Sequence, residues 1–488
     1  MKKTLFLATF ALGLFAHAQY ATPNTGVSWT LDDVVANAPT VLTVEEGVYT
    51  LHEDLLVEKN DTLLIHESLT LKIAENVLLD INGYFEANAD EITITAVDTE
   101  APYRGIRLDS DSYGGYIKNT LIEYGGGIRV LSDYFEIHDS EVSNNAKGVS
   151  SGGAISFSNG SPVIMNSTFK FNQGPALGTA ANSVCPALIQ GNYFEGNNQS
   201  NDNRPQINMG PSGADTIRII GNTVIGDRSL TKVGGISASS LVGIENRVLI
   251  KDNIIRDNRY GLTSTGNSTG IIDGNIIEDN NTENLPMMGG SGINLYGTKL
   301  FYISNNQIRR NLWGVTLQTT AMANLGSDDE EDFNEGKNIF SDNENGGQVY
   351  ALFNNTPNAV KALHNCWIEE NSEFTYEDAE SVISHQFDDP ELGLVTFDPF
   401  GCEEEEELGV VETTKNAFVI YPNPSQNIFF VNTTENAVLK MYDLNGRLVL
   451  EQKLSNGKNS VPNQLSKGIY IVEVRGAQSK STQKMVIQ

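Results

Sequence analysis

Cysteine, histidine and basic charge are all scarce in this chain. Three cysteines among 488 residues cannot build a disulfide scaffold. Six histidines, with no His-x-x-x-His or Cys-x-x-Cys pair, argue against a zinc centre. Only 32 Lys+Arg stand against 62 Asp+Glu, a formal charge of −30, and so acidic a chain repels phosphate; no nucleic-acid partner is expected. After the first residues no apolar run approaches the ~18 residues of a membrane span, so the mature chain is expected to have no transmembrane segment. Yet hydrophobic residues are 39 % and charged residues 19 %, too apolar and too weakly charged for a disordered chain of this length. The abundant residues are glycine, 45, and asparagine, 51.

The ends of the chain differ from its middle. Lys2 and Lys3, an apolar stretch from Leu5 to Phe15, and Ala16-His17-Ala18 form a charged region, an apolar region and a small-x-small cleavage site. That pattern predicts a secretory signal peptide over 1–18, with passage through the periplasm and a mature chain from about Gln19. Beyond it, residues 19–416 carry a net −36 and residues 417–488 a net +4. The change follows five consecutive glutamates, Glu403 to Glu407. A like-charge block repels itself and stays solvated, so 401–416 is expected to be a linker between a body, 19–400, and a tail, 417–488. In an oxidising compartment Cys366 and Cys402 are the candidate disulfide pair, leaving Cys185 over.

A repeat organises the body. An aliphatic residue, two variable positions, Asn, one variable position and another apolar residue recur, with Asn or Asp further on. The register is plain in Ile250/Asn253/Ile255/Asn258, Ile272/Asn275/Ile277/Asn280 and Ile303/Asn306/Ile308/Asn311. Further copies fall at Ile219/Asn222/Val224/Asp227, Ile189/Asn192/Phe194/Asn197, Val163/Asn166, Ile137/Ser140/Val142/Asn145, Ile117/Thr120/Ile122, Asn338/Phe340/Asn343 and Asn365/Trp367. From Thr120 to Asn365 the spacings are 20, 26, 26, 30, 31, 22, 31, 32 and 27. Alternation in short bursts, β-branched residues within them and Gly, Asn or Asp between them predict three short strands and three turns per repeat. Stacked edge to edge, such repeats make a parallel β-helix. The Asn columns are then expected to be amide ladders, each Asn taking a left-handed bend and bonding the next coil.

Apolar strands mark the N-terminal part as well, in DLLV, TLLI, LTLKI and LLDI between 54 and 81. With DTLLI…LDINGYFEAN, YRGIRLDS (103–110), NTLIEYGGGIRV (119–130), YALFNNTPNAVKALHNCWIEE and FDDPELGLVTFDPF (387–400), most of 41–400 resembles a secreted right-handed parallel β-helix repeat protein of the pectin-lyase-like superfamily. Asn365-Cys366-Trp367 stands where members usually show Asn-Tyr-Trp. The superfamily serves many functions, so the resemblance implies a fold more than an activity.

The tail has its own signature. FVIYPNPSQN (418–427), VLKMYDLNGRLVLEQ (438–452), GIYIVEV (468–474) and KMVIQ (484–488) read as about seven short strands, with Asn445-Gly446 as a hairpin turn, in a small β-sandwich of immunoglobulin-like type. Pro422, Asn423, Pro424, Asp443, Gly446, Gly468, Tyr470 and Lys484 resemble, in order, the sorting signal of the type A C-terminal domain of the type IX secretion system of Bacteroidetes. The resemblance implies the type IX machinery as a partner, secretion or display on the outer-membrane surface, and removal of the tail. The expected fold is therefore all-β: a right-handed parallel β-helix solenoid followed by a small C-terminal β-sandwich.

Candidates for chemistry are sparse. The polygalacturonase pieces Asn-Thr-Asp, Gly-His-Gly and Arg-Ile-Lys are absent, as is the Arg-x-Pro-x-x-Arg of pectate lyases. Arg256 and Arg309, beside Arg310, are the basic groups that could neutralise a uronic acid, though Glu278 interleaves between them as in an ion-pair ladder. Tyr260 in NRYGL and Trp313 in NLWGV share one repeat position and are candidates to stack on sugars. Asp328, Asp329 and Asp332, in a loop lacking EF-hand spacing, are the candidate calcium ligands; no other cofactor is implied. The favoured function is a non-catalytic exported protein, structural or binding extracellular polysaccharide. The alternative is a divergent polysaccharide lyase or glycoside hydrolase.

Overall fold

The computed structural model describes residues 19–402 except 284, 286, 288 and 372. It also describes 418–487 except 422–424, 426, 427, 434, 444–446, 463, 464 and 477–479. The expected signal peptide, the glutamate run, Pro422, Asn423, Pro424 and Gly446 lie outside the described residues. The chain divides into two compact units between Cys402 and Glu403.

The first unit is a parallel β-helix of three strand ladders. One is a 14-stranded sheet from Gln19–Ala21 to Ile383–Ser384, parallel throughout. A second runs from Ser28–Trp29 to Val395–Thr396. The third runs through Leu69–Ile73 to Ile339–Ser341, and its first pair, Leu42–Glu45 with Val48–Leu51, is antiparallel. Two long strands, Tyr84–Ala96 and Gly114–Glu123, pass from the second ladder into the third, and the latter shifts register at Asn119, φ 50°. Alternation turns one side chain in two inward, and parallel register places these over one another. In the 14-stranded sheet the buried stack runs unbroken through Leu79, Ile106, Ile128, Ile155, Leu177 and Ile207, then Ile236, Leu262, Ile293, Val315 and Leu352.

Two buried side-chain ladders cross the turns of the coils. The first links Thr120, Ser140, Ser167, Asn192, Asn222, Asn253, Asn275, Asn306, Asn338 and Asn365. Each side-chain oxygen from Ser140 onward accepts the backbone N–H of its predecessor, and each asparagine from Asn192 to Asn338 also donates its amide to the next carbonyl oxygen. The second runs Asn145, Asn172 and Asn197, then Asn258, Asn280, Asn311 and Asn343.

Three details differ from the sequence expectation. The third rung of the first ladder is Ser167, not Asn166. The left-handed bend belongs to the residue before each ladder position: Asn166, Asp252, Asn305 and His364 all have φ between 51° and 61°. A buried amide that must both donate and accept cannot also be the exposed bend. Asp227 is not in the second ladder. Gln206 reaches in from another loop instead, accepting from Asn197 and donating to Asn258, while Asp227 accepts from Ser229. A carboxylate has no proton to pass along an amide chain; Gln206 supplies one.

Short helices lie towards each end of this unit. Leu31–Asn37 and Tyr376–Ser381 each begin with a reciprocal capping box, Thr30 with Asp33 and Thr375 with Asp378. Cys366 and Cys402 are joined in a disulfide, and Cys185 is a buried free thiol whose pKa burial pushes up to about 12. The second unit is antiparallel. A three-stranded sheet (Phe418–Tyr421, Ile428–Thr433, Gly457–Pro462) and a four-stranded sheet (Leu448–Leu454, Ala437–Tyr442, Gly468–Arg475, Lys480–Ile487) share one core that includes Phe429, Val461, Met441 and Val472.

Candidate functional site

Outward residues of the 14-stranded sheet also stack. One outward column continues Ser237, Thr263, Asn294, Thr316 and Phe353; beside it run Thr265, Tyr296, Gln318 and Asn355. At the strand starts Ser291 lies beside Trp313. Neighbouring coils about 4.8 Å apart make these columns the floor of a cleft of about 570 Å³ across four coils.

The floor is polar, neutral and internally bonded. Thr316 donates to the Asn294 carbonyl oxygen at 2.9 Å, and the Asn294 amide donates to Thr263 at 2.9 Å. Ser291 lies 2.9 Å from Thr316, and Asn355 donates to Gln318 at 2.9 Å. The rings differ in availability. Trp313 is only 9 % exposed, packed against Tyr350 and Phe353 with centroids 4.4 and 5.2 Å away. The Tyr260 ring lies on the Gly234 backbone, so close that a Cβ there would come within 2.1 Å of it, and burial pushes its phenol pKa up. Tyr296 is 50 % exposed. Arg259 enters at one wall, its Nε 2.5 Å from a Glu283 carboxylate oxygen and its Nη1 on Asn203.

Tyr260 and Trp313, singled out by their shared repeat position, thus line one cleft. Tyr296, Asn294 and Phe353 line it too and were not anticipated. The alternation in SGINLYG and YALFNN marks them as outward positions, but only the register shows that they meet.

The other candidates lie elsewhere. Arg256, Glu278 and Arg309 follow one another along the third ladder as their repeat positions imply. Arg256 is exposed and has no ion pair among the described residues. Arg309 grips Glu369 with two nitrogens at 2.5 and 2.6 Å, and the guanidinium holds the Glu369 carboxyl below its ordinary range. Glu278 pairs with Arg310, which also holds Asp279. In the acidic loop Lys361 Nζ lies 2.5 Å from Asp329 and 2.8 Å from Asp332, and His364 lies 2.8 Å from Asp328. A fixed cation already serves two of those three carboxylates.

A second groove, about 420 Å³, opens at the other end of the 14-stranded sheet, where arginines face carboxylates across neighbouring coils. Arg107 donates twice to Asp80, at 2.9 and 2.5 Å, and Arg104 to Asp54 at 2.8 Å. In the tail, Asp443 accepts from the backbone N–H and Nε of Arg447, and the Tyr470 hydroxyl donates to the Ser466 carbonyl. Gly468 and Lys484 lie on adjoining antiparallel strands.

Residues 419–488 match the family of secretion system C-terminal sorting domains. This tail marks the chain for export by the type IX machinery, to the cell surface or beyond. No curated protein and no solved structure matches the chain. No helix among the described residues is long and apolar enough to cross a membrane.

Proposed function

We propose that this chain is an exported surface or secreted β-helix protein that binds extracellular glycan in the cleft floored by Asn294, Tyr296 and Thr316. On this reading a signal peptide takes it to the periplasm of a Bacteroidetes cell, and the solenoid belongs with the pectin-lyase-like superfamily. One observation carries the glycan reading: an exposed ring and a lattice of hydroxyls and amides share one open, rigid floor. Sugars present apolar C–H faces and hydroxyls that both donate and accept, and such a floor meets both. The full chain, tested by affinity electrophoresis against a polysaccharide panel, should be retarded by at least one glycan, and Tyr296→Ala or Asn294→Ala should abolish the retardation. Binding that both variants retain would place the site elsewhere.

A second reading, a divergent polysaccharide lyase or glycoside hydrolase, draws on the groove of Asp54, Asp80, Arg104 and Arg107. Opposed carboxylates and guanidinium groups are the parts such chemistry uses. Against it, Asp54 and Asp80 are each already closed on an arginine. Unsaturated product or new reducing ends, lost in Arg107→Ala, would establish it over the binding reading.

A further inference from the structure

We infer that the cleft takes a neutral polysaccharide and discriminates against uronic-acid and sulfated chains. This deepens the glycan-binding reading and rests on it. The charge inventory of the cleft is the first argument. Among the described residues of its lining Arg259 is the one charged side chain, and its guanidinium is matched by Glu283 at 2.5 Å. The two side chains are only 14 % and 7 % exposed, so the pair is shielded and has little net charge to offer an anionic ligand. A carboxylate brought into the cleft would be desolvated without a counter-charge, which is strongly unfavourable.

The second argument is hydrogen-bond character. Ser291, Thr316, Asn294, Thr263, Gln318 and Asn355 each combine donor and acceptor capacity. Sugar hydroxyls do the same, whereas ionised carboxylates and sulfates only accept, so they can use the donor half of this lattice and leave its acceptor oxygens unpaired. Tyr296 adds an apolar ring for a pyranose face. The third argument is long-range. Residues 19–416 carry −36, which repels polyanions as they approach, most strongly at low salt.

These three features make a test with separable outcomes. The full chain is titrated, by calorimetry and affinity electrophoresis, with neutral β-glucan, xylan and mannan and with polygalacturonate, alginate and a sulfated glycan. Neutral chains should bind, with an affinity that changes less than about two-fold between about 0.01 and 0.1 M salt, over which the Debye length falls from about 30 to about 10 Å. Tyr296→Ala should weaken that binding at least about ten-fold, and Tyr296→Phe should restore most of it. Tyr296 is half exposed, so its removal leaves the core intact, which fluorescence melting verifies. Glu283→Gln uncovers the Arg259 charge and should raise uronate binding relative to neutral binding.

Tight binding of uronate or sulfated chains alone, abolished by Tyr296→Ala, would overturn the neutral-ligand inference while leaving the glycan site standing. No binding to any polysaccharide, or binding indifferent to Tyr296→Ala and Asn355→Ala, would overturn the glycan reading itself.

Discussion

Replacing Asn253 tests whether the amide ladder holds the solenoid together. Its side chain is fully buried. Its amide donates to the Ile219 carbonyl at 2.9 Å, the Lys251 carbonyl at 3.0 Å and the Asn275 carbonyl oxygen at 2.9 Å. Its own oxygen accepts the Asn222 backbone N–H and side-chain amide, both at 2.9 Å. Asn253→Ala removes all five contacts and strands the Asn222 donors in a dry interior, a cost of about 4 kcal/mol. Asn253→Asp keeps the two accepted contacts but turns an oxygen on three acceptors unless it is protonated. Holding a proton at pH 7 on a group whose unfolded pKa is about 3.9 costs about 4 kcal/mol. Losing the remaining amide donor adds about 1–2 kcal/mol. The aspartate should therefore be the worse variant at neutral pH. Its folded pKa is raised, so the folded state binds a proton that the unfolded chain does not. Relative stability should then recover by about 1.4 kcal/mol per pH unit as the pH falls towards 4, whereas the alanine penalty stays flat. Denaturant melts of the full chain at several pH values, followed by tryptophan fluorescence, read this directly. Trp29, Trp313 and Trp367, the chain's 3 tryptophans, all lie in the solenoid. An aspartate milder than alanine at pH 7, or one whose penalty ignores pH, would refute the ladder argument.

Two other sites give independent checks. Asp61 accepts the backbone N–H groups of Asn24, Thr25, Gly26 and Val27. Burial pushes its carboxyl up, but the Thr22 hydroxyl and the backbone amides of Asn24, Val27 and Gly26 outweigh that and hold it below the ordinary range. A depressed folded pKa stabilises above the unfolded value and is lost as the pH falls through the folded one. The protection factors of amides near residue 25, taken relative to intrinsic exchange at each pH, should thus fall on acidification below about pH 4, and Asp61→Asn should flatten that dependence and cost about 2 kcal/mol; an unchanged profile would count against this role. The disulfide closes a separation of 36 residues, so Cys402→Ser should lower the stability of the last coils by about 4 kcal/mol. Protection of Trp367 from quenching reports it, and equal protection with and without the bond would remove the staple from the account.

The repeat was legible because each coil meets the same local demand. An aliphatic residue three positions before an asparagine and another apolar residue two beyond it describe two strands and the corner between them, whatever the rest of the coil does. The candidate cleft was half legible. Tyr260 and Trp313 share a repeat position, which is a one-dimensional fact. Asn294 and Tyr296 come from one strand and Phe353 from another some 60 residues on, and their meeting depends on parallel register. Arg256 and Arg309 stood out as basic residues on an acidic chain, but local composition does not reveal that Glu369, 60 residues on, closes on Arg309.

From sequence alone follow the all-β class, the stacked coils and the address carried by the tail, since period, turn chemistry and motif order are properties of neighbouring residues. Tertiary structure decided which residue fills each ladder rung. Ser167 replaces Asn166 because the bend must precede the buried bond, and Gln206 replaces Asp227 because a buried amide chain needs a donor at every step. It also decided where ligand chemistry could sit, for only stacking brings the outward positions of separate coils onto one floor.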